Sequence, residues 1–315
     1  MEQSFVEKEV SFTAEYELQG TLTLPRSAKK VPAVLIISGS GPGNRDGNIK
    51  WPKIELNIYK DLAAFFTSLG FATLRYDKRG TGKSKGKFNK AGMWDFVNDA
   101  KSGVEFLKNQ PEIDRERVFV LGHSEGVTLA IALNSKERLA GIILLAGTYQ
   151  SMEHTLRKQR KQLFQELQDL KGFKGFIINM IGITKNEEKK TKNLISKINS
   201  SKRDSFWHSF MKVNAKWLRE HLSYNVQDDI KKIQCPVLAI TGAKDAQVDC
   251  REVYIAKELN PIYVDSYIID KMNHILKEQD YDNSFINIAK EYKSQSTHAL
   301  HEKFVEVVKE WVKDK

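Results

Sequence analysis

Residues 118–126 read Val-Phe-Val-Leu-Gly-His-Ser-Glu-Gly, and Val127-Thr-Leu-Ala-Ile-Ala-Leu133 follows at once. A short apolar run ends in Gly-x-Ser-x-Gly and passes directly into a helix-like stretch. This is the pattern of a strand-to-helix elbow that lifts one hydroxyl, that of Ser124, above the edge of a sheet. The elbow holds its central residue in a strained conformation. Small residues are needed two positions away on either side, where strand and helix crowd, and Gly122 and Gly126 supply them.

An elbow serine makes demands on the rest of the chain. A hydroxyl is a weak nucleophile and needs a histidine base, itself oriented by a carboxylate. The chain order expected for this kind of elbow is Ser, then Asp or Glu, then His. Cys235-Pro-Val-Leu-Ala-Ile-Thr-Gly-Ala-Lys-Asp245 supplies an apolar strand, a Gly turn and an acid. Ser266-Tyr-Ile-Ile-Asp-Lys-Met-Asn-His274 supplies a strand, a few turn residues and a histidine. Asp249, one helical turn past Asp245, competes for the acid position as an alternative to a helix-start role. His298 and His301 compete for the base but lie near a terminal helix.

The remaining elements alternate. Phe5–Phe12 and Tyr16–Leu24 read as strands, and Pro32–Ser38 as a strand buried on both faces. A loop rich in turn formers spans 39–47. Leu56–Leu69 carries helical spacing and stops at Gly70. A strand over Phe71–Tyr76, a helix over Met93–Leu107, the elbow strand Val118–Leu121, the elbow helix Glu125–Leu133 and a strand over Ala140–Leu145 follow. The spacing then changes. Ser151–Asn225 reads as helices over Met152–Leu170, Leu194–Lys197 and Phe206–His221, with aromatics (Phe164, Phe173, Phe176, Phe206, Trp207, Phe210, Trp217) among charges. Alternation resumes at Cys235 and ends in a helix over Glu302–Lys313. Such alternation implies an α/β fold, a mostly parallel sheet with helices on both faces. The division is a core of residues 1–150 and 226–315 with a helical cap or lid inserted over 151–225.

The bulk properties narrow the classes. The 315 residues are 41% hydrophobic and 29% charged, within the globular range. No apolar run is long enough to span a bilayer. The charged start has no apolar h-region, and with two cysteines in no Cys-x-x-Cys spacing the expectation is a cytoplasmic protein with reduced thiols. The net charge is +10, and 151–225 holds 16 Lys and Arg against 7 Asp and Glu. A basic surface can attract nucleic acid or anionic lipid, but no nucleic-acid motif accompanies it, so a solvated lid surface is expected and no nucleic-acid partner. Gly80-Thr-Gly-Lys-Ser84 lacks the gap of a phosphate-binding loop. No His, Cys or carboxylate cluster suggests a metal, and no cofactor is expected. Oligomeric state is not legible.

Ser38-Gly-Ser-Gly-Pro42 with Arg45-Asp-Gly47, the opening Gly20-Thr-Leu-Thr-Leu-Pro25, the loop Tyr76-Asp-x-Arg79-Gly-x-Gly82-x-Ser84, Gly122-His-Ser-Glu-Gly126 and Asn273-His274 together resemble the α/β-hydrolase superfamily. The closest look is to bacterial acyl-ester hydrolases. The likeness covers most of the chain outside the insertion. It implies an α/β-hydrolase fold, with Ser124 as nucleophile, Asp245 as acid and His274 as base. The sequence departs at Val127, where many members carry a second Gly.

In such a site the oxyanion needs backbone donors. One is the N–H of Glu125, the residue after the nucleophile. The other comes from the loop after the third strand, where Ser40 is the first choice and Gly41 the next; Pro42 has no N–H. Gly39 and Gly41 let this loop approach substrate. Arg45 and Asp46 either line the pocket mouth with Gly41 as substrate contacts or pin the long loop by a local ion pair. Asp77 and Arg79 are expected to fix their loop. His123 is expected to point away from the hydroxyl as a packing or hydrogen-bonding residue. The Glu125 side chain either reaches the acyl or alcohol pocket or faces a polar cavity. The aromatic insertion either covers Ser124 and shapes the acyl pocket or forms its own core.

The leading expectation is a serine hydrolase of short or medium acyl esters acting through an acyl-enzyme. The same triad serves a peptidase or amidase, for which a free-amine site needs a carboxylate cluster, or an acyl-CoA thioesterase in which the basic insertion meets the phosphates of the coenzyme A substrate. Fold alone does not guarantee activity, so a binding protein on a hydrolase scaffold is the non-enzyme alternative.

Overall fold

The continuous apolar run that begins at Pro32 becomes the centre of a sheet, and the reason is its two-sided burial. In the computed structural model, β3 (Val31–Ile37) is buried at every position. Successive side chains point to opposite faces, so Leu35 and Ile37 join one core and Val34 and Ile36 the other. The structure describes residues 5–27, 29–51, 53–169, 187–208, 211–282 and 284–315.

Eight strands form the sheet: β1 (Phe5–Thr13), β2 (Glu17–Pro25), β3, β4 (Ala72–Tyr76), β5 (Ile113–His123), β6 (Gly141–Leu145), β9 (Val237–Gly242) and β10 (Val264–Ile269), in the order β1-β2-β4-β3-β5-β6-β9-β10. β1 pairs antiparallel with β2, and β2 antiparallel with β4; every other pairing is parallel. Helices cover both faces. On one side α1 (Ile58–Ser68) and α10 (Glu302–Val312) pack Leu62, Phe66, Phe304 and Val308 against the sheet. On the other lie α2 (Met93–Lys108), α3 (Glu125–Asn134), α7 (Val226–Ile230) and α8 (Val253–Leu259). α3 follows the elbow and is buried from Gly126 to Leu133, because sheet and neighbouring helices enclose it on all sides. α9 (Ile288–Ser294) lies beyond β10. The parallel strands place their C-terminal ends on one rim, where ligands bind in sheets of this class.

The insertion is not wholly helical. Its described residues form α4 (Met152–Gln168), α5 (Glu187–Ser200) and α6 (Ala215–Ser223), with a hairpin of β7 (Ser205–His208) and β8 (Met211–Asn214) between α5 and α6. This corrects the expected helix over Phe206–His221. Phe206 sits opposite Val213 in the hairpin, and Phe206 packs with Ile198 and Ala215 in a small core of the insertion. The Asn214 side chain accepts a hydrogen bond from the Trp217 N–H and starts the helix there. The helix expected at Leu194–Lys197 is longer, Glu187–Ser200. Leu170, Phe173, Phe176 and Phe210 lie outside the described residues.

Val127 has a structural counterpart. A Cβ on Gly147 would overlap the Val127 side chain, so a valine in the elbow helix is matched by a residue without one after β6. Gly147→Ala is expected to destabilise the fold by about 1–3 kcal/mol through overpacking. In a Val127→Gly background the same change should cost less, giving a coupling of about 1 kcal/mol or more in a urea-denaturation double-mutant cycle.

Candidate active site

The elbow brings strand and helix into backbone contact. Ser124 has φ 57° and ψ −118°, a conformation that costs a non-glycine residue roughly 1–3 kcal/mol. A Cβ on Gly122 would overlap the Gly126 carbonyl oxygen, and one on Gly126 would overlap the carbonyl oxygen of Ile37 in β3. Both glycines are therefore needed for the approach itself. The Ser124 N–H donates to Leu145 O of β6 at 2.9 Å. Glu125 begins α3, so its N–H has no partner within the helix.

Asp245 and His274 meet beside the elbow. His274 Nδ1 lies 2.7 Å from Asp245 Oδ2, and the Asp245 side chain is fully buried. Its other oxygen accepts the N–H groups of Gln247 (2.7 Å) and Val248 (3.0 Å). That leaves the carboxylate able to orient one imidazole tautomer. The two loops are locked together where Lys244 N–H donates to Met272 O at 2.8 Å. Asn273, the residue before His274, accepts the N–H groups of Ile275 and Lys277 and donates to Gln279 and Gln295, which freezes the turn carrying the ring. Ser124 and His274 line one cavity of about 280 Å³. Asp249 is engaged elsewhere, capping a short turn at Arg251 and pairing with Lys158. His301 caps α10.

A directed chain of hydrogen bonds ties the loop after β3 to the loop that carries His274. The Gly39 N–H donates to Tyr59 Oη at 2.6 Å, and Tyr59 Oη lies 3.0 Å from His123 Nδ1. His123 Nε2 lies 2.9 Å from the His274 carbonyl oxygen. A carbonyl can only accept, so the His123 proton is on Nε2 and Nδ1 receives the Tyr59 hydroxyl. Burial, with the neighbouring His274 adding to it, pushes the His123 pKa down to about 3, so the ring is neutral. His123 thus has the expected hydrogen-bonding role, although it also lines the cavity. Tyr59 was not foreseen from the sequence.

The loop residues sort differently from expectation. Ser40 and Gly41 line the cavity. Arg45 and Asp46, expected either as substrate contacts or as a local ion pair that pins the loop, lie outside its lining and pair with other residues instead of each other. Arg45 is buried, with Nη2 2.9 Å from Asp77 Oδ2 and Nη1 3.1 Å from Glu9 and 3.0 Å from Thr21. Asp46 accepts from Arg75 Nε at 2.7 Å. Both side chains bolt the loop to the sheet, because folding brings β1, β2 and β4 against them. Arg79 is likewise held by Asp99 and Glu15.

The Glu125 side chain does not line the cavity either. It is buried between Lys78 (3.0 Å) and Trp217 Nε1 of α6 (2.5 Å), with His221 Nε2 at 3.5 Å. Burial acts to raise its pKa, but Lys78, His221 and Trp217 outweigh this and hold it below the ordinary value. The apolar wall of the cavity includes Ile49, Ile54, Leu56, Ile275, Ile288 and Tyr292. None of the described residues of 151–225 lines it, so the insertion reaches the elbow through Trp217 rather than by forming this wall. Among the described residues no group of His, Cys, Asp and Glu is placed to hold a metal, and no helix is long and apolar enough to cross a membrane.

This sheet, elbow and rim define an α/β-hydrolase fold. A family profile described as serine aminopeptidase, S33, matches residues 55–275, and the chain belongs to that family. Esterase EstD of Thermotoga maritima is 26% identical over 278 residues, 87% of this chain. The chain spans 61% of EstD's length. Among solved structures, Est1E from Butyrivibrio proteoclasticus with ferulic acid bound superposes with a TM-score of 0.60 at 19% identity, covering 90% of this chain and 96% of that one. The Pyrococcus furiosus esterase Pf2001 gives 0.56 at 17%, covering 98% and 93%. At these identities the solved structures speak for the fold.

The buried neutral ring sets a pH dependence. The His123 pKa is lowered from 6.5 to about 3 on folding, so the unfolded chain binds the proton that the folded protein refuses. Stability from this group is complete above pH 6.5 and declines as pH falls toward 3. The urea midpoint of His123→Asn is therefore expected to lie below that of the wild type at pH 8, with the gap closing between pH 6.5 and 4.

Proposed function

We propose that the chain is a serine hydrolase cleaving carboxylic esters of short to medium acyl length through an acyl-enzyme. The observation that carries this reading is the Asp245–His274 bond of 2.7 Å beside Ser124, on a cavity whose lining holds no Asp, Glu, Lys or Arg side chain among the described residues. His274 takes the Ser124 proton as Oγ attacks the ester carbonyl. Asp245 steadies the imidazolium. The negative charge on the carbonyl oxygen is received by the N–H groups of Ser40 and Glu125, which act as fixed dipoles and need no reorganisation. The tetrahedral intermediate collapses, His274 protonates the departing alkoxide, and the acyl group remains on Ser124. Water attacks the acyl-enzyme by the same route, with His274 again as base.

The apolar wall of Ile49, Ile54, Leu56, Ile275 and Ile288 suits an uncharged acyl chain. An aminopeptidase has to hold a free ammonium group, for which a carboxylate in the pocket is the expected partner. Glu125, the one candidate acid, is spent on Lys78 and Trp217. This favours esters over aminoacyl amides for this member of the family. The name of EstD and the ferulic acid held by Est1E point the same way and put aromatic acyl esters on the panel to be tried.

Turnover of p-nitrophenyl acetate, butyrate and octanoate and of a feruloyl ester, compared with aminoacyl p-nitroanilides, decides between the readings. Ester turnover is expected to exceed amide turnover, and Ser124→Ala should lower kcat by about 10³-fold or more. Amide turnover above ester turnover, or an active Ser124→Ala, contradicts the proposal. Asp245→Asn is expected to reduce kcat by roughly 10²–10⁴-fold with little change in KM, because the wrong imidazole tautomer is then favoured.

A further inference from the structure

Lys78 sits at a junction that neither the triad nor the family match explains. It follows β4 by two residues, its side chain is 2% exposed, and its ammonium lies over the Phe96 ring, 5.1 Å from the centroid. The same ammonium makes two hydrogen bonds. One is to Glu125 Oε2 at 3.0 Å, and the other is to the carbonyl oxygen of Gly39 at 2.5 Å. A cation taken this far out of water needs strong partners, and one of the two is a backbone carbonyl in the oxyanion loop.

That carbonyl belongs to the Gly39–Ser40 peptide, whose N–H is Ser40's. In a trans peptide the C=O and N–H point in opposite directions. Fixing the oxygen on Lys78 therefore aims the Ser40 N–H away from Lys78. The preceding peptide is fixed as well, because the Gly39 N–H is taken by Tyr59 Oη at 2.6 Å and so is not free to receive an oxyanion. A Cβ on Gly39 would lie 3.1 Å from the Ser124 Cβ, so this segment is packed directly against the nucleophile. Glu125, the other partner of Lys78, carries the second N–H of the proposed oxyanion hole on its own backbone. One ammonium thus grips the peptide that carries one proposed donor and the side chain of the residue that carries the other.

We propose that Lys78 is a positioning residue of the oxyanion hole: it orients the Ser40 N–H through the Gly39 carbonyl and holds this peptide in register with Glu125. The proposal rests on the ester-hydrolase reading above. It is a role in the transition state, because Lys78 acts on the Gly39 carbonyl and only the Ser40 N–H that this orients meets the developing oxyanion. Trp217 of the insertion, 2.5 Å from the other oxygen of Glu125, extends the same junction to α6.

Lys78→Met alone would leave Glu125 buried without its cation. The test therefore uses Lys78→Met combined with Glu125→Gln, which removes both charges together, and Lys78→Gln as a milder variant. Wild type and variants are assayed on a p-nitrophenyl ester, on its thionoester, whose sulfur is a poor fit to hydrogen-bond donors set for oxygen, and with a short alkyl trifluoromethyl ketone as inhibitor. The expected result is a fall in kcat of about 10- to 100-fold with KM within about threefold. The ester-to-thionoester preference and the inhibitor affinity should fall with kcat. The preference is a ratio within one preparation and does not depend on how much protein has folded. If the double variant fails to fold, Lys78→Gln carries the test. An unchanged ester-to-thionoester preference and unchanged inhibitor affinity in the variants would overturn the proposal. A wild type inactive on every ester would instead overturn the reading on which it rests.

Discussion

The backbone contact at the elbow is the constraint on which the rest depends. Ser124 keeps its strained φ and ψ because β5, α3 and β3 press together at Gly122, Gly126 and Ile37, where no Cβ fits. The strain is supported by packing on all sides, since α3 is buried along nearly its whole length. Raising the hydroxyl in this way also leaves the Glu125 N–H at the start of α3 without an intrahelical partner. The position of the Ser124 hydroxyl and a free N–H beside it are thus set by a single steric fact.

Around that contact the protein uses buried charges as fasteners. Asp77, Lys78 and Arg79 are consecutive and all nearly without solvent exposure: Asp77 and Lys78 hold the loop after β3 at Arg45 and Gly39, Lys78 also pairs with Glu125, and Arg79 is held by Asp99 of α2. Removing one partner from such a pair leaves an uncompensated charge, which is why these interactions specify geometry as well as stability. A second set of fasteners is neutral. The run from Gly39 through Tyr59 and His123 to the His274 carbonyl joins the loop after β3 to the loop that carries His274. Each group has one direction in which it can donate, so a tautomer is chosen without any charge.

Much of this was legible in the sequence, for physical reasons that differ by residue. Gly122 and Gly126 announce the elbow because the crowding they relieve is local. Asp245 and His274 could be placed because each comes after an apolar strand, and neighbouring parallel strands deliver their C-terminal loops to the same rim. Lys78 and Tyr59 were not legible, because their partners lie 39, 47, 20 and 64 residues away and nothing local marks them. Arg45 and Asp46 suggested substrate contacts or a mutual pair by adjacency, but the sheet offers each a nearer partner. The helical expectation over Phe206–His221 takes in the hairpin because the strands are only four residues each, too short for alternation to stand out beside the helical spacing of α6. The Asn214 cap was the available signal.

The central claim is that Ser124 is activated by His274. A fluorophosphonate probe followed by peptide mapping tests it most directly, since the probe bonds to an activated serine and mass spectrometry locates the adduct. The expected result is an adduct on Ser124 of the wild type that is lost, or forms at least about a hundredfold more slowly, in His274→Ala. An unlabelled Ser124, or one labelled equally fast without His274, would contradict it.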